Sequence, residues 1–281
     1  MTQLLLSERP DVVAIEPARL QNIGPLAADQ VFFGNNACEE AFCGPAGVLQ
    51  GPSFSSSETA RIRELIKARL IENAHQISPQ AAADIESVDL DQYHTIADRY
   101  DHSKLLSKFG RILPLKSVDE IKQMSFFDYA KKAFGPFHLS DEEGIGHEQI
   151  CFRIVRPNRR DDVGSLHRDS WFWDYYNFPV ATGKSRAKVW VPVCGQSDRA
   201  GLLLAPYSHA KPAPYRTEIK NKKLAFVPDF DVKKIGLQRF CGNPGDPIMF
   251  NYDTLHVGSL NRAESCRVSF EITILFDNAS A

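Results

Sequence analysis

Leu166-His167-Arg168-Asp169-Ser170, read together with the distant His256, is the stretch that decides how the chain is understood. His167 and Asp169 are two residues apart, so on an extended segment both side chains leave the same face. With His256 as third member they make a two-histidine, one-carboxylate set. Such a facial triad suits non-haem Fe(II), because three ligands on one face leave the opposite positions open for substrates. Arg267 follows His256 by eleven residues and offers a fixed, forked cation for a carboxylate.

Outward from that stretch, the chain divides in character near Gly146. Before it, amphipathic patterns predict helices. One runs from Thr59 to His75 with Ser57 as N-cap, a second over Gln80–Ile85 opens at Pro79, and a third lies near 103–109. A fourth spans Val118–Phe134 and ends at Gly135-Pro136. Residues 1–55 read as an irregular arm with one or two short strands, around Gln30-Val31-Phe32-Phe33. After Gly146 come β-branched and aromatic runs: Ile150–Val155, Ala187–Val193, Leu202–Ala205, Pro247–Phe250 and Arg267–Phe276. Strands in succession without intervening helices indicate an antiparallel sandwich or jelly roll, α+β overall, able to hold a metal between its sheets. The expectation is one domain over 1–281, with 1–145 a mainly helical support and 146–281 most of the roll and its metal site.

Composition narrows the function. A formal charge of -2 over 281 residues argues against a coat for nucleic acid or anionic membrane. No apolar segment approaches the length of a spanning helix, no leader is evident, and the six cysteines are scattered. They read as reduced thiols of a cytoplasmic protein whose partner is a small molecule. His-Arg-Asp also occurs in kinase catalytic loops, but Asp174 stands where that loop needs Asn, and no glycine-rich loop accompanies it.

Four blocks then appear in an order that resembles the Fe(II)/2-oxoglutarate-dependent oxygenases, specifically the phytanoyl-CoA dioxygenase-like family. They are Leu166-His167-Arg168-Asp169; Lys188–Val193 followed by Gly201–His209; Gly245–Phe250; and His256, Asn261, Arg267 and Ser269. The resemblance covers Glu148–Phe276, and Tyr207 stands where the family usually has glycine. It implies a double-stranded β-helix (jelly-roll, cupin-like) core with flanking N-terminal helices. It implies iron held by His167, Asp169 and His256, and 2-oxoglutarate gripped by Arg267 with Ser269 assisting. O2 would be co-substrate, and the reaction would oxidise a C–H group with release of succinate and CO2. Halogenating members carry Ala or Gly at the Asp169 position, so an Asp there implies hydroxylation or a related oxidation.

Several readings stay open at this stage. Arg267 either grips a carboxylate or caps a sheet edge through Glu264 or Glu271. Trp171, Trp173 and their aromatic neighbours either stack on substrate or pack the open end of the roll. Arg168, with Arg153, Arg156, Arg159 and Arg160, either attracts an acidic substrate or forms a solvated basic loop. His209 reads as structural. The rival function is a cupin-like metal-dependent isomerase or a small-molecule-binding protein; Arg267 is the discriminating residue.

Overall fold

The longest strand pattern in the chain, Arg-Val-Ser-Phe-Glu-Ile-Thr-Ile at 267–274, alternates polar and apolar residues with period two. That pattern fixes a strand with two unlike faces. In the computed structural model, which describes residues 17–20, 42–178, 183–195, 198–220 and 223–277, it forms the backbone of the larger sheet. Eleven strands are described: β1 (Val48–Gln50), β2 (Phe137–Leu139), β3 (Cys151–Val155), β4 (Lys184–Cys194), β5 (Leu202–Leu204), β6 (Tyr215–Lys220), β7 (Lys223–Pro228), β8 (Gln238–Phe240), β9 (Ile248–Asn251), β10 (His256–Gly258) and β11 (Arg267–Asp277). The large antiparallel sheet runs β1-β9-β4-β11-β2, with β3 also on β11, and a smaller sheet runs β10-β5-β8.

The outer face of the large sheet carries Ala187, Val189 and Val191 of β4 and Val268, Phe270, Ile272 and Ile274 of β11. These are buried in one cluster with Ile62, Leu70, Phe126 and Phe134 from the helical half. The helices are α1 (Ser56–His75), α2 (Pro79–Glu86), α3 (His94–Ala97), α4 (His102–Leu105), α5 (Leu115–Ile121) and α6 (Ser125–Phe134). Between the two sheets, Trp190, Ile248 and Phe250 meet Leu202, Leu204 and Phe240. Mixed helix and antiparallel sheet is therefore as expected.

Some boundaries differ from the pattern reading, each for a physical reason. The first helix is capped by Ser55 rather than Ser57, because Ser55 and Glu58 complete a reciprocal capping box. The single helix expected over Val118–Phe134 is two, α5 and α6. Glu58 explains the break: its carboxylate accepts the Ser125 N–H at 2.6 Å and the Ser125 hydroxyl at 2.8 Å, so a residue 67 positions away starts a new helix. The helix placed near 103–109 is the single turn of α4. β1 falls in the arm expected to hold one or two short strands, while β2, the β6–β7 hairpin, β8 and β10, short or exposed, lie outside the strand runs of the pattern reading. The strand expected near 30–33 lies outside the described residues. Tyr207 has φ +63, a left-handed conformation that a Cβ disfavours.

Glu58 generates the first prediction. Burial alone would raise its pKa, but the hydrogen bonds from Ser125 and Ser55 outweigh that and hold it near 2. A carboxylate depressed in the folded state stabilises above its unfolded pKa, and that stabilisation fades as pH falls toward the folded value. Glu58→Ala is expected to cost about 1 kcal/mol at neutral pH, as cap losses do. In urea titrations the gap between parent and variant should close between about pH 4.5 and 2. A gap independent of pH would mean that Glu58 acts through packing alone.

Candidate metal centre and buried-charge wall

His167 and His256 meet as an isolated antiparallel bridge. The His167 N–H donates to the His256 carbonyl at 3.1 Å, and the reverse bond is 3.0 Å. Two residues on, the Asp169 N–H donates to the Tyr252 carbonyl at 3.1 Å. The expected extended segment therefore ends at Arg168, and Asp169 is the first residue of α7 (Asp169–Tyr175). A carboxylate in a first turn is favoured by the helix dipole. The triad is brought together despite this change of backbone.

Each imidazole is oriented by the chain itself. Nδ1 of His167 lies 2.7 Å from the Ser165 carbonyl, and Nδ1 of His256 lies 2.9 Å from that of Thr254. A carbonyl can only accept, so each Nδ1 carries the proton and each Nε2 presents a lone pair inward. The Nε2 atoms stand 3.7 Å and 3.8 Å from Asp169 Oδ1, and the three ligating atoms all lie within 4.8 Å of one another. Burial, and then the charge of His256, push the His167 pKa down to about 4, so this imidazole is neutral and ready to ligate at pH 7. Asp169 Oδ2 is buried without a hydrogen bond. Two inward lone pairs and an under-satisfied carboxylate are the donor set a divalent transition metal requires.

Lys188, which pattern reading left unremarked, supports this carboxylate. Its Nζ lies 3.7 Å from Asp169 Oδ2 and 3.8 Å from Glu142 Oε2, and it donates to Thr273 Oγ1 at 2.9 Å. The Thr273 hydroxyl donates onward to Glu142. Burial would lower the lysine pKa, but the charges of Asp169 and Glu142 reverse that and raise it. Burial raises the pKa of Glu142. A clue existed in the sequence: Arg186, Lys188 and Trp190 alternate with Ala187, Val189 and Val191. A lysine inside an apolar strand is rarely buried without a partner.

Arg267 faces the same interior. It is 1% exposed, donates to the Gly201 carbonyl, and leaves its Nε without a partner. Among the described residues it has no ion pair, so neither Glu264 nor Glu271 holds it as a sheet-edge cap. Burial, and then the charge of Arg153, push its pKa down to about 9. A Cβ at Gly258, two residues along β10 from His256, would sit 3.0 Å from Arg267 Nη2; glycine there lets the guanidinium lie against the strand that carries His256. Ser269 is buried on the same face of β11, opposite Arg153.

The remaining candidates lie elsewhere or are already occupied. Arg168 is buried and donates to the carbonyls of Ser208 and Lys211. Trp171 stacks on Tyr215 at 5.0 Å between ring centroids, and Trp173 has the Arg186 guanidinium 4.1 Å over its ring. Both tryptophans are buried. Phe172, between them, reaches the His167 ring edge-on at 5.2 Å. The His209 ring lies where a Cβ on Gly47 would meet Nδ1 at 2.2 Å, a packing position.

Lys188→Met is expected to weaken Ni(II) binding about 10–100-fold, the usual cost of losing a partner of a metal ligand, while leaving the far-ultraviolet circular dichroism unchanged. Equal affinities in parent and variant would remove Lys188 from the metal site.

No family model matches the chain, and no curated protein matches it. Solved structures do. The chain is similar to the apo form of the non-heme monooxygenase ThoJ, with 12% identity, a TM-score of 0.51, and coverage of 86% of this chain and 80% of that one. It is also similar to EctD from S. alaskensis, solved with 2-oxoglutarate and 5-hydroxyectoine, with 16% identity, a TM-score of 0.51, and coverage of 95% of this chain and 84% of that one. At these identities the likeness establishes a shared fold.

Proposed function

We propose that the chain is a single-domain, jelly-roll Fe(II)/2-oxoglutarate-dependent dioxygenase, related to the phytanoyl-CoA dioxygenase-like family, that hydroxylates a small metabolite. The carrying observation is Arg267, a wholly buried guanidinium without an acid partner, beside the strand that bears His256. Burying an unpaired cation is costly, and a site that keeps one is arranged for an anion that arrives with a ligand. A metal-dependent isomerase on the same scaffold has no use for it. The apolar cluster shared by the helical half and the large sheet supports one domain.

In this reading His167 Nε2, His256 Nε2 and Asp169 Oδ1 would hold the iron. With 2-oxoglutarate and O2 the iron would supply the oxidant for an unactivated C–H bond, and succinate and CO2 would leave. The chain's own part is placement. Carbonyls of Ser165 and Thr254 fix the imidazole tautomers, and Lys188 restrains the free oxygen of Asp169. Arg267, with Ser269 on the same face, would bind the distal carboxylate of 2-oxoglutarate in a fixed direction. The apolar residues between the sheets exclude water from one side of the site.

The test is the visible charge-transfer absorption of the anaerobic protein with Fe(II) and 2-oxoglutarate. A band in the parent that weakens in Asp169→Ala and in Arg267→Ala is expected. Iron bound with no band on adding 2-oxoglutarate would sink the oxygenase reading.

A further inference from the structure

The middle residue of His167-Arg168-Asp169 points away from the site that its neighbours build. Arg168 is extended, with φ -109 and ψ 148, so its side chain leaves the opposite face of the segment from that of His167. The side chain is buried. Its Nη2 donates to the carbonyls of both Ser208 and Lys211, the second at 2.6 Å. Among the described residues Arg168 has no ion pair, and its Nε has no hydrogen-bond partner. Taking a guanidinium out of water is costly, and two carbonyls offset less of that cost than a carboxylate would.

The turn that Arg168 holds is tied to the other ligand segment as well. The Ser208 hydroxyl accepts the Leu255 N–H at 2.8 Å, and the Ala205 N–H donates to the Leu255 carbonyl at 2.9 Å. Leu255 directly precedes His256, which pairs with His167 through two main-chain bonds. The contacts close a ring: Arg168 to Ser208, Ser208 to Leu255, and His256 back to His167. Residues 46 and 47 brace this ring from outside. The Tyr207 N–H donates to the Ala46 carbonyl at 2.7 Å, and the Gly47 carbonyl accepts the Thr254 hydroxyl at 2.9 Å. Thr254 in turn supplies the carbonyl that orients His256. Tyr207 keeps its φ of +63 within the turn, a strained conformation that persists where surrounding bonds over-determine it. Leu166, Ala205 and Leu255 are buried in one apolar cluster. Apolar burial therefore already holds the turn down, and what the guanidinium adds is direction.

We infer that Arg168 is a positioning residue of the candidate metal centre: acting through Ser208, it fixes how the His167–Asp169 segment sits against His256. The three donor atoms are then set before a metal ion enters. The inference rests on the candidate metal centre and is independent of 2-oxoglutarate and of the reaction. Supporting contacts matter because a site loosened by about 1 Å loses its geometry. Lysine in place of Arg168 keeps a donor and a charge but not the planar fork, so it restores the link in part.

The experiment titrates the full chain with Co(II), whose d–d absorption reports coordination symmetry as well as affinity. Arg168→Met, which keeps the bulk and removes the hydrogen bonds, is expected to weaken Co(II) binding about 10–100-fold, as loss of an outer partner does. Its d–d band should also shift or change intensity. Arg168→Lys should recover part of both. Ser208→Ala breaks the same ring at another point, so the double variant should lose little more than the worse of the two single ones. The melting temperature of each metal-free variant reports folding separately; should Arg168→Met fail to fold, Arg168→Lys and Ser208→Ala carry the same comparison. Variants that melt earlier yet keep the parental Co(II) affinity and band would overturn the proposal, leaving Arg168 a purely structural residue. Losses that simply add in the double variant would overturn the ring. No Co(II) uptake by the parent would remove the metal centre itself, and the positioning role with it.

Discussion

The antiparallel register of β4 on β11, running from Ser269 opposite Pro192 to Asp277 opposite Lys184, is the constraint on which the rest depends. Residues opposite each other share a face, so one register decides both sides of the wall at once. Outward it aligns valines, isoleucines and Phe270 into a surface on which the helices bury their apolar stripes. Inward it aligns Arg267, Ser269, Glu271 and Thr273 with Trp190, Lys188 and Arg186. A slip of one residue would bury the charges against the helices and expose the apolar row to the site. The apolar side holds the polar side in place: each buried large side chain contributes roughly 1.5–3 kcal/mol, enough in sum to keep several desolvated charges on the opposite face.

The candidate metal centre adds a second constraint of another kind. Its ligands come from segments far apart in sequence, and nothing in the side chains alone would keep them within 4.8 Å. The backbone does so, through the paired bonds between His167 and His256 and the bond from Asp169 to Tyr252. A main-chain ladder positions more rigidly than a loop, which suits a site whose geometry must hold before any ion arrives. The turn into α7 directly after Arg168 then aims Asp169 at the two imidazoles and directs Trp171 and Trp173 into the surrounding packing.

How much of this was legible in the sequence follows from the range of the interactions. Period-two alternation is local, so the β3, β4, β5, β9 and β11 segments could be read directly. The histidines and Asp169 were legible because their chemistry is specific even at long separation. What could not be read was set at a distance. Glu58 splits one helical pattern into two by capping Ser125, and no window around Ser125 contains that carboxylate. Short β1 and β2 exist because longer strands, β9 and β11, pair with them, and β10 because β5 does; three residues carry no periodicity of their own. Lys188, Thr273 and Glu142 were present as residue types, but their joint role depends on a register and a loop that bring them to one point. The arginine-rich run at 153–168 could not be sorted by composition at all. Its members look alike in sequence, and only their partners separate them: Asp162 for Arg156, Asp98 for Arg159, carbonyls for Arg168 and Glu271 for Arg153.

That sorting has an energetic consequence. A guanidinium taken out of water without a counter-charge loses hydration that nothing replaces, a penalty of several kcal/mol. Arg267 carries that cost, being fully buried, and its depressed pKa reports the burden. An anion that reaches Arg267 relieves it, and a second anion gains less because the first has already neutralised the field. Lys188 is held differently, between the carboxylates of Asp169 and Glu142. The β11 strand, with Arg267 at one end and Thr273, the hydrogen-bond partner of Lys188, further along, spans both arrangements.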